Sequence, residues 1–243
     1  HGRKDGPNQL FRAGRALARN LDEIADVVAE RNPDVQAVQE ADGPSIWSGN
    51  FNHVERLATG AGIPSYARAE NVKGLKLSYG TAILSTLRLE NAVAHTFAPS
   101  PPSFSKGYLV ATIEWPGDSP KKIDLVSVHL DFLRKGVRRD QVEVVIRELS
   151  GRDNPLVVMG DLNCEWSDRA SPVRHLADSL GLHAFRPAAT DLDTFGTLGG
   201  RLDWILISEE LRFLSFDVLP DVLSDHAGVI AELEFVGPPE GRN

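Results

Sequence analysis

The chain has 243 residues, 42% hydrophobic and 25% charged, a globular balance that excludes disordered and collagen-like classes. Its formal net charge of −8 argues against a non-specific polyanion binder, which carries a basic stripe, and leaves room only for a local basic groove. Cys164 is the single cysteine, so neither an internal disulfide nor a thiolate zinc cluster can form.

In chain order, "LARNLDEIADVVAERNPDV" sets Leu17, Leu21, Ile24, Val27 and Val28 at helical spacing, and Pro33 closes the run. "VQAVQE" (35–40) reads as a short strand, and residues 51–62 as a helix ending in glycines. Residues 80–86, 108–115 and 122–130 are strand-like and rich in β-branched side chains. Between the first two lies 97–107, "FAPSPPSFSKG", the most loop-like stretch. Residues 138–151 return to the helical period, with Val142, Val145, Ile146 and Leu149 on one face. "PLVVMG" is a strand. Residues 171–181 are a punctuated helix: Ser171 can cap it, Pro172 suits its first turn and Gly181 stops it. Residues 201–208 and 227–236 finish as strands. Strands outnumber helices, and several are adjacent without a helix between. The expected fold is therefore an α/β four-layer sandwich: two mixed β-sheets face to face with helices on both outer sides.

No repeat, low-complexity tract or linker divides the chain, so residues 1–243 are expected to form a single domain. No run of about 18 apolar residues occurs. The first residues, "HGRKDGPNQLF", lack the pattern of a signal peptide. A soluble protein, cytoplasmic or secreted, acting as a monomer, is the expectation.

The polar residues at strand ends repeat in type. Glu40 ends the first strand, His129 lies near the end of the strand 122–130 and is followed by Asp131, and Asp161 and Asn163 follow "LVVMG". Asp203 lies in 201–208, and Asp225 and His226 precede the last strand. If these ends share a rim, they form an acidic pocket holding two imidazoles. Carboxylate and carboxamide oxygens suit a hard cation such as Mg²⁺ or Mn²⁺. Imidazoles beside carboxylates suit acid–base work or stabilisation of phosphoryl oxygens.

"VQAVQE", "SVHLD", "VVMGDLN", "RLDWILI" and "SDHAGVIAEL" resemble, in order, blocks of the endonuclease/exonuclease/phosphatase superfamily. That superfamily includes apurinic endonucleases, pancreatic-type deoxyribonucleases, inositol polyphosphate phosphatases and bacterial sphingomyelinases. The resemblance implies a Mg²⁺- or Mn²⁺-dependent hydrolase in which an activated water attacks a phosphoester in line. Glu40 and Asp225 then resemble metal-site residues, and Asp161 the water-orienting aspartate, with Asn163 beside it. His129 resembles a donor to phosphoryl or leaving oxygens, and Asp203 and His226 a carboxylate–imidazole pair. The implied partner is a phosphoester: nucleic acid, nucleotide, inositol phosphate or phospholipid headgroup. Loops 41–50, 97–107 and 164–172 would choose among them, and "SKGYLVATIEW" faintly resembles a lysine–glycine strand of sphingomyelinase-like members. The family places an asparagine at the end of a first strand ahead of His1. Asn8, in a "DGPN" turn, is a poor substitute, and with no initiator methionine the natural chain is expected to extend upstream. The competing reading is a catalytically impaired binding module of the same fold.

Other residues have plainer readings. His53, His95, His175 and His183 are expected at or near the surface, outside the site. Arg138 and Arg139 read as a solvated helix face that can also contact phosphate. Trp47 and Trp166 plug the rim or stack on substrate, and Cys164 is a packed thiol.

Overall fold

The computed structural model describes residues 6–40, 51–74, 77–117, 119–167, 170–196, 199–220 and 224–237, with α1 side chains from Ala18 onward. The elements are α1 (Gly6–Arg31), β1 (Val35–Val38), α2 (His53–Gly60), β2 (Ser65–Gly74), β3 (Leu77–Ser85), β4 (Glu90–Thr96) and β5 (Gly107–Trp115). They continue as β6 (Lys121–His129), α3 (Lys135–Leu149), β7 (Leu156–Asp161), α4 (Pro172–Leu180), β8 (Leu182–Ala184), β9 (Asp203–Ser208), β10 (Leu211–Val218) and β11 (Val229–Phe235).

Alternation along the central strands sorts their side chains into two cores. On β6, Val126 and Val128 join Val142, Val145 and Leu149 of α3 and Val173 and Leu176 of α4. Its other face, with Ile123 and Leu125, packs against Ala69 and Ile83 of the opposite sheet. A third cluster sets Ala25 and Val28 of α1 and Val54 and Leu57 of α2 against Ala82 and Leu84. The layers thus run α1/α2, small sheet, large sheet, α3/α4, as the pattern of elements predicts. The small sheet, ordered β1-β3-β2, is antiparallel throughout. The large one, ordered β4-β5-β6-β7-β9-β8, owes its mixed character to the parallel β6–β7 pair. The antiparallel pair β10–β11 contributes Leu211, Phe213, Leu233 and Phe235 to the inter-sheet core.

Several boundaries differ from the sequence reading. The first helix starts at Gly6, not near Leu17, so Asn8 lies within a helix and not in a turn. Pro7 falls in its first turn, where a missing N–H costs nothing. β1 stops at Val38, two residues short of Glu40. α3 begins at Lys135 and β11 at Val229. β2, β4 and β10 are strands that no apolar alternation announced; β4, for example, lies at a sheet edge with most residues exposed. The α4 signals act as anticipated: Ser171 Oγ accepts the Arg174 N–H, and Gly181 closes the helix at φ 63°.

Gly160 fixes the approach of β6 and β7. Its φ is +142°, and a Cβ there would lie 2.0 Å from the Val128 carbonyl oxygen. Gly160→Ala is expected to cost about 3 kcal/mol, because backbone cannot move aside as a side-chain tip can. A denaturant titration at unchanged m-value checks this, and a shift below about 1 kcal/mol would contradict it.

Candidate functional site

Register builds the site. Gly107 pairs with His129, His129 with Asp161, and Asp161 with Asp203, so four strands place one row across the sheet. Because side chains alternate, His129, Asp161 and Asp203 share the face of Leu125, Val157 and Ile207, which looks toward the small sheet. The row lies at the C-terminal ends of β6 and β7, just beyond the apolar packing.

Loop contacts bring His226 to this row. Thr194 Oγ1 accepts the N–H groups of Leu202 and Asp203 at 3.0 and 3.1 Å. The Thr194 carbonyl accepts the Ala227 N–H at 2.8 Å. Phe195 pairs with His226 in an isolated bridge, their rings 5.0 Å apart. His226 Nδ1 then donates to Asp203 Oδ2 at 2.8 Å. That hydrogen bond, outweighing burial, raises the imidazole pKa to about 9, so His226 is an imidazolium at neutral pH. NMR titration of His226 should give a midpoint near 9, returning toward 6.5 in Asp203→Asn. A wild-type midpoint near 6.5 would contradict the pairing.

Asp161 is held from its own loop. The Asn163 backbone N–H donates to Oδ1 and its Nδ2 to Oδ2, both at 2.9 Å. Nδ2 also reaches the Leu130 carbonyl at 3.1 Å. Asn163 adopts φ 51°, a left-handed conformation asparagine tolerates better than most residues. Leu162 turns into the opposite core, fully buried. Burial, with the charge of Asp203 second, raises the Asp161 pKa to about 7.

His129 sits beside Asp161, Nε2 3.5 Å from Oδ2. Burial and the neighbouring charges of Lys106 and His226 hold its pKa well below the ordinary histidine value, so the ring is neutral. Lys106 is only 3% exposed, and its Nζ lies 3.0 Å from His129 Nε2 and 2.7 Å from the Tyr79 hydroxyl. Burial lowers the lysine's pKa, while Glu40 and Asp161 oppose that shift. Glu40, at φ 56°, accepts the Tyr79 O–H and lies 3.5 Å from Lys106 Nζ, its side chain 64% exposed.

Sequence reasoning did not place Lys106 or Tyr79 in the site. Two signals were available: position, since Lys106 precedes Gly107, the first member of the row, and the faint lysine–glycine resemblance of "SKGYLVATIEW", which bore only on substrate.

Asp161, Asp203 and His226 each offer a ligand atom within 4.8 Å of the others. Glu40 lies at the flank with Lys106, and exposed Asp225 beside His226 accepts the Ser224 hydroxyl at 3.0 Å. The charge of Asp203 opposes ionisation of Asp161, and the oxygen-rich corner the two carboxylates form fits a hard divalent cation. Arg138 turns inward, donating to the Asp131 carbonyl at 2.9 Å, while Arg139 is exposed on α3. Trp166 packs on Trp204, ring centroids 5.7 Å apart, and Trp47 lies outside the described residues. Burial raises the Cys164 thiol to about 11, consistent with an inert packed group. Among the described residues, none of the other histidines joins the row. His95 stacks on Tyr108 at 5.0 Å, His175 meets Glu143 at 2.8 Å and His183 is exposed on β8. His53 is buried, not at the surface, against Phe51.

The model of the Endonuclease/Exonuclease/phosphatase family matches residues 8–226. No curated protein sequence matches significantly. Among solved structures, an endonuclease/exonuclease/phosphatase family protein from Leptotrichia buccalis is similar at 20% identity and TM-score 0.73, covering 89% of this chain and 93% of its own. The human Nocturnin catalytic domain with bound sulfate anion is similar at 20% identity and TM-score 0.70, with 90% and 87% covered. A mannosyl-6-phosphatase from Bacteroides thetaiotaomicron follows at 14% identity and TM-score 0.67, with 90% and 92% covered. At these identities the likeness concerns the fold.

Proposed function

The chain belongs to the endonuclease/exonuclease/phosphatase family, whose members are divalent-metal-dependent hydrolases of phosphoesters, and from that premise we propose that it is a single-domain Mg²⁺- or Mn²⁺-dependent phosphoester hydrolase. The observation that carries this reading is the in-register row His129–Asp161–Asp203 closed by the Asp203–His226 pair. A binding module has no need of a carboxylate raised to about 7 beside an imidazole raised to about 9. Two titratable groups in one corner, each shifted far from its ordinary value, suit proton transfer.

Asp161 and Asp203 would hold the cation, with Glu40 and Asp225 flanking them, and Asn163 would steady the Asp161 carboxylate. When bound, the cation offsets negative charge on the transferring phosphoryl oxygens. Asp161 orients the attacking water and takes its proton. His226, fixed through Nδ1 by Asp203, directs its Nε2–H at a phosphoryl oxygen. His129 stays neutral, so it contributes a hydrogen bond without a competing proton load, and the Lys106 ammonium supplies a buried positive charge beside it. Hydrogen bonds and charges fixed before reaction need no reorganisation as charge develops.

Purified protein should hydrolyse bis-p-nitrophenyl phosphate or a member of a panel of nucleic acid, nucleotide, phosphoinositide and phospholipid substrates. Turnover should stop with EDTA and return with Mg²⁺ or Mn²⁺. No metal-dependent turnover across the panel would reject the enzyme reading in favour of a binding module.

A further inference from the structure

Asp131 is fully buried two residues beyond His129 and ties two loops together. Its Oδ1 accepts the N–H groups of Leu133 and Arg134 at 2.9 and 2.8 Å. Its Oδ2 accepts the hydroxyls of Ser100, at 3.1 Å, and Ser103. The Asp131 N–H donates to Gln141 Oε1 at 2.8 Å, and the Arg134 guanidinium donates to the Ser100 carbonyl. The loops before β5 and after β6 are therefore one braced unit.

That unit holds apolar side chains in water. Phe104 and Phe132 are each 55% exposed and Leu133 50%. Large apolar groups fixed in solvent beside a polar site mark a surface for another molecule. The rings turn toward the site. Lys106 Nζ lies 4.8 Å from the Tyr79 ring centroid and 5.8 Å from that of Phe132. The Phe104 ring is 6.2 Å from Tyr79, which is 6.3 Å from the His129 ring. Because this apolar surface is continuous with the reactive corner, its occupant is the rest of the molecule whose phosphate sits there. Phe132 turns one face to the Lys106 ammonium and Phe104 lies against Tyr79, so both rings are held in place. A held ring offers its outer face to a flat π-system, whereas alkyl chains need no particular ring orientation.

We propose that Phe104 and Phe132, held in place by Asp131, form a stacking subsite for a flat aromatic group, such as a nucleobase, carried by the phosphoester. The proposal deepens the hydrolase reading and rests on it for the phosphate position. It assigns the two phenylalanines as determinants of specificity.

Adenosine 5′-monophosphate and ribose 5-phosphate differ by the base alone. Their inhibition of bis-p-nitrophenyl phosphate hydrolysis, and their binding by calorimetry with Mg²⁺ present, test the subsite. A stacked base contributes roughly 5- to 150-fold in affinity, so the nucleotide should bind wild-type protein about tenfold or more tightly than the sugar phosphate. In the Phe104→Ala/Phe132→Ala double variant, whose exposed positions leave folding intact, the gap should narrow to about twofold. Equal binding of both ligands by wild-type protein, or an unchanged gap in the double variant, would overturn the proposal. Sedimentation of wild-type but not variant protein with phosphatidylcholine vesicles, with no base preference, would overturn it in favour of a lipid surface. Absence of turnover with the calorimetric gap intact would count against the hydrolase reading and leave the subsite supported.

Discussion

Asp161→Ala is expected to lower kcat on a phosphodiester by about a thousandfold or more, with far-UV circular dichroism unchanged. The removed carboxylate orients the water, accepts its proton and helps to hold the cation. Proton transfer alone typically contributes about 10²–10⁴-fold. The more conservative Asp161→Asn should lose activity comparably, because a carboxamide cannot act as the base. Its effect on stability should have the opposite sign. The folded pKa, about 7 against an ordinary 3.8, means that ionising this group opposes folding. The native state binds more protons than the unfolded chain between those values, so stability falls as pH rises through the window, with the full penalty present above about 7. In metal-free protein at pH 8, Asp161→Asn should therefore be the more stable form, by about 1–2 kcal/mol once its altered hydrogen bonding to Asn163 is counted. Chemical denaturation in EDTA at pH 8 and at pH 4 measures this, and the gain should vanish at the lower pH. A destabilised Asp161→Asn at pH 8 would mean that the carboxylate is a structural anchor.

His226→Ala is expected to reduce kcat by about 10²–10³-fold, the usual effect of deleting one charged donor that meets developing charge. Asp203→Asn should reduce it through the same imidazole, by lowering its pKa and loosening its orientation. The His226→Ala/Asp203→Ala double variant should then lose less than the product of the two single losses, because the aspartate has no imidazole left to orient and keeps only its share in holding the cation. Additive losses would separate the two residues. The pair also contributes to stability: the folded imidazole pKa is raised to about 9, so its contribution is complete below about 6.5 and is lost as pH rises through 9. The alkaline limb of the rate profile should follow the same group.

Much of this site was legible in the sequence because strand ends are simple punctuation. "LVVMGDLN" shows where a buried strand runs out, and the period of two then sends Asp161 one way and Leu162 the other. The four layers were legible from the order of apolar runs. Register was not: that His129, Asp161 and Asp203 stand side by side depends on hydrogen bonding between distant segments. Lys106 was missed for a related reason. Lysine is ordinarily a surface residue, and only the fold buries it against His129, Tyr79 and Glu40. The start of α1 at Gly6 was hidden because "GPNQLFRAGRALARN" carries few apolar residues at helical spacing. The strands β2 and β4 have ladder partners but little apolar alternation, so only pairing reveals them. Arg138 read as part of a solvated helix face, and only the fold turns its guanidinium inward to the Asp131 carbonyl.

The central claim, that this row directs water at phosphorus with a divalent cation, is tested most directly by isotope transfer. A phosphodiester turned over with Mg²⁺ in H₂¹⁸O should yield a phosphorus-bearing product with one heavy oxygen and an alcohol with none. EDTA should suppress both products. Heavy oxygen in the alcohol, or incorporation unaffected by chelation, would contradict the account.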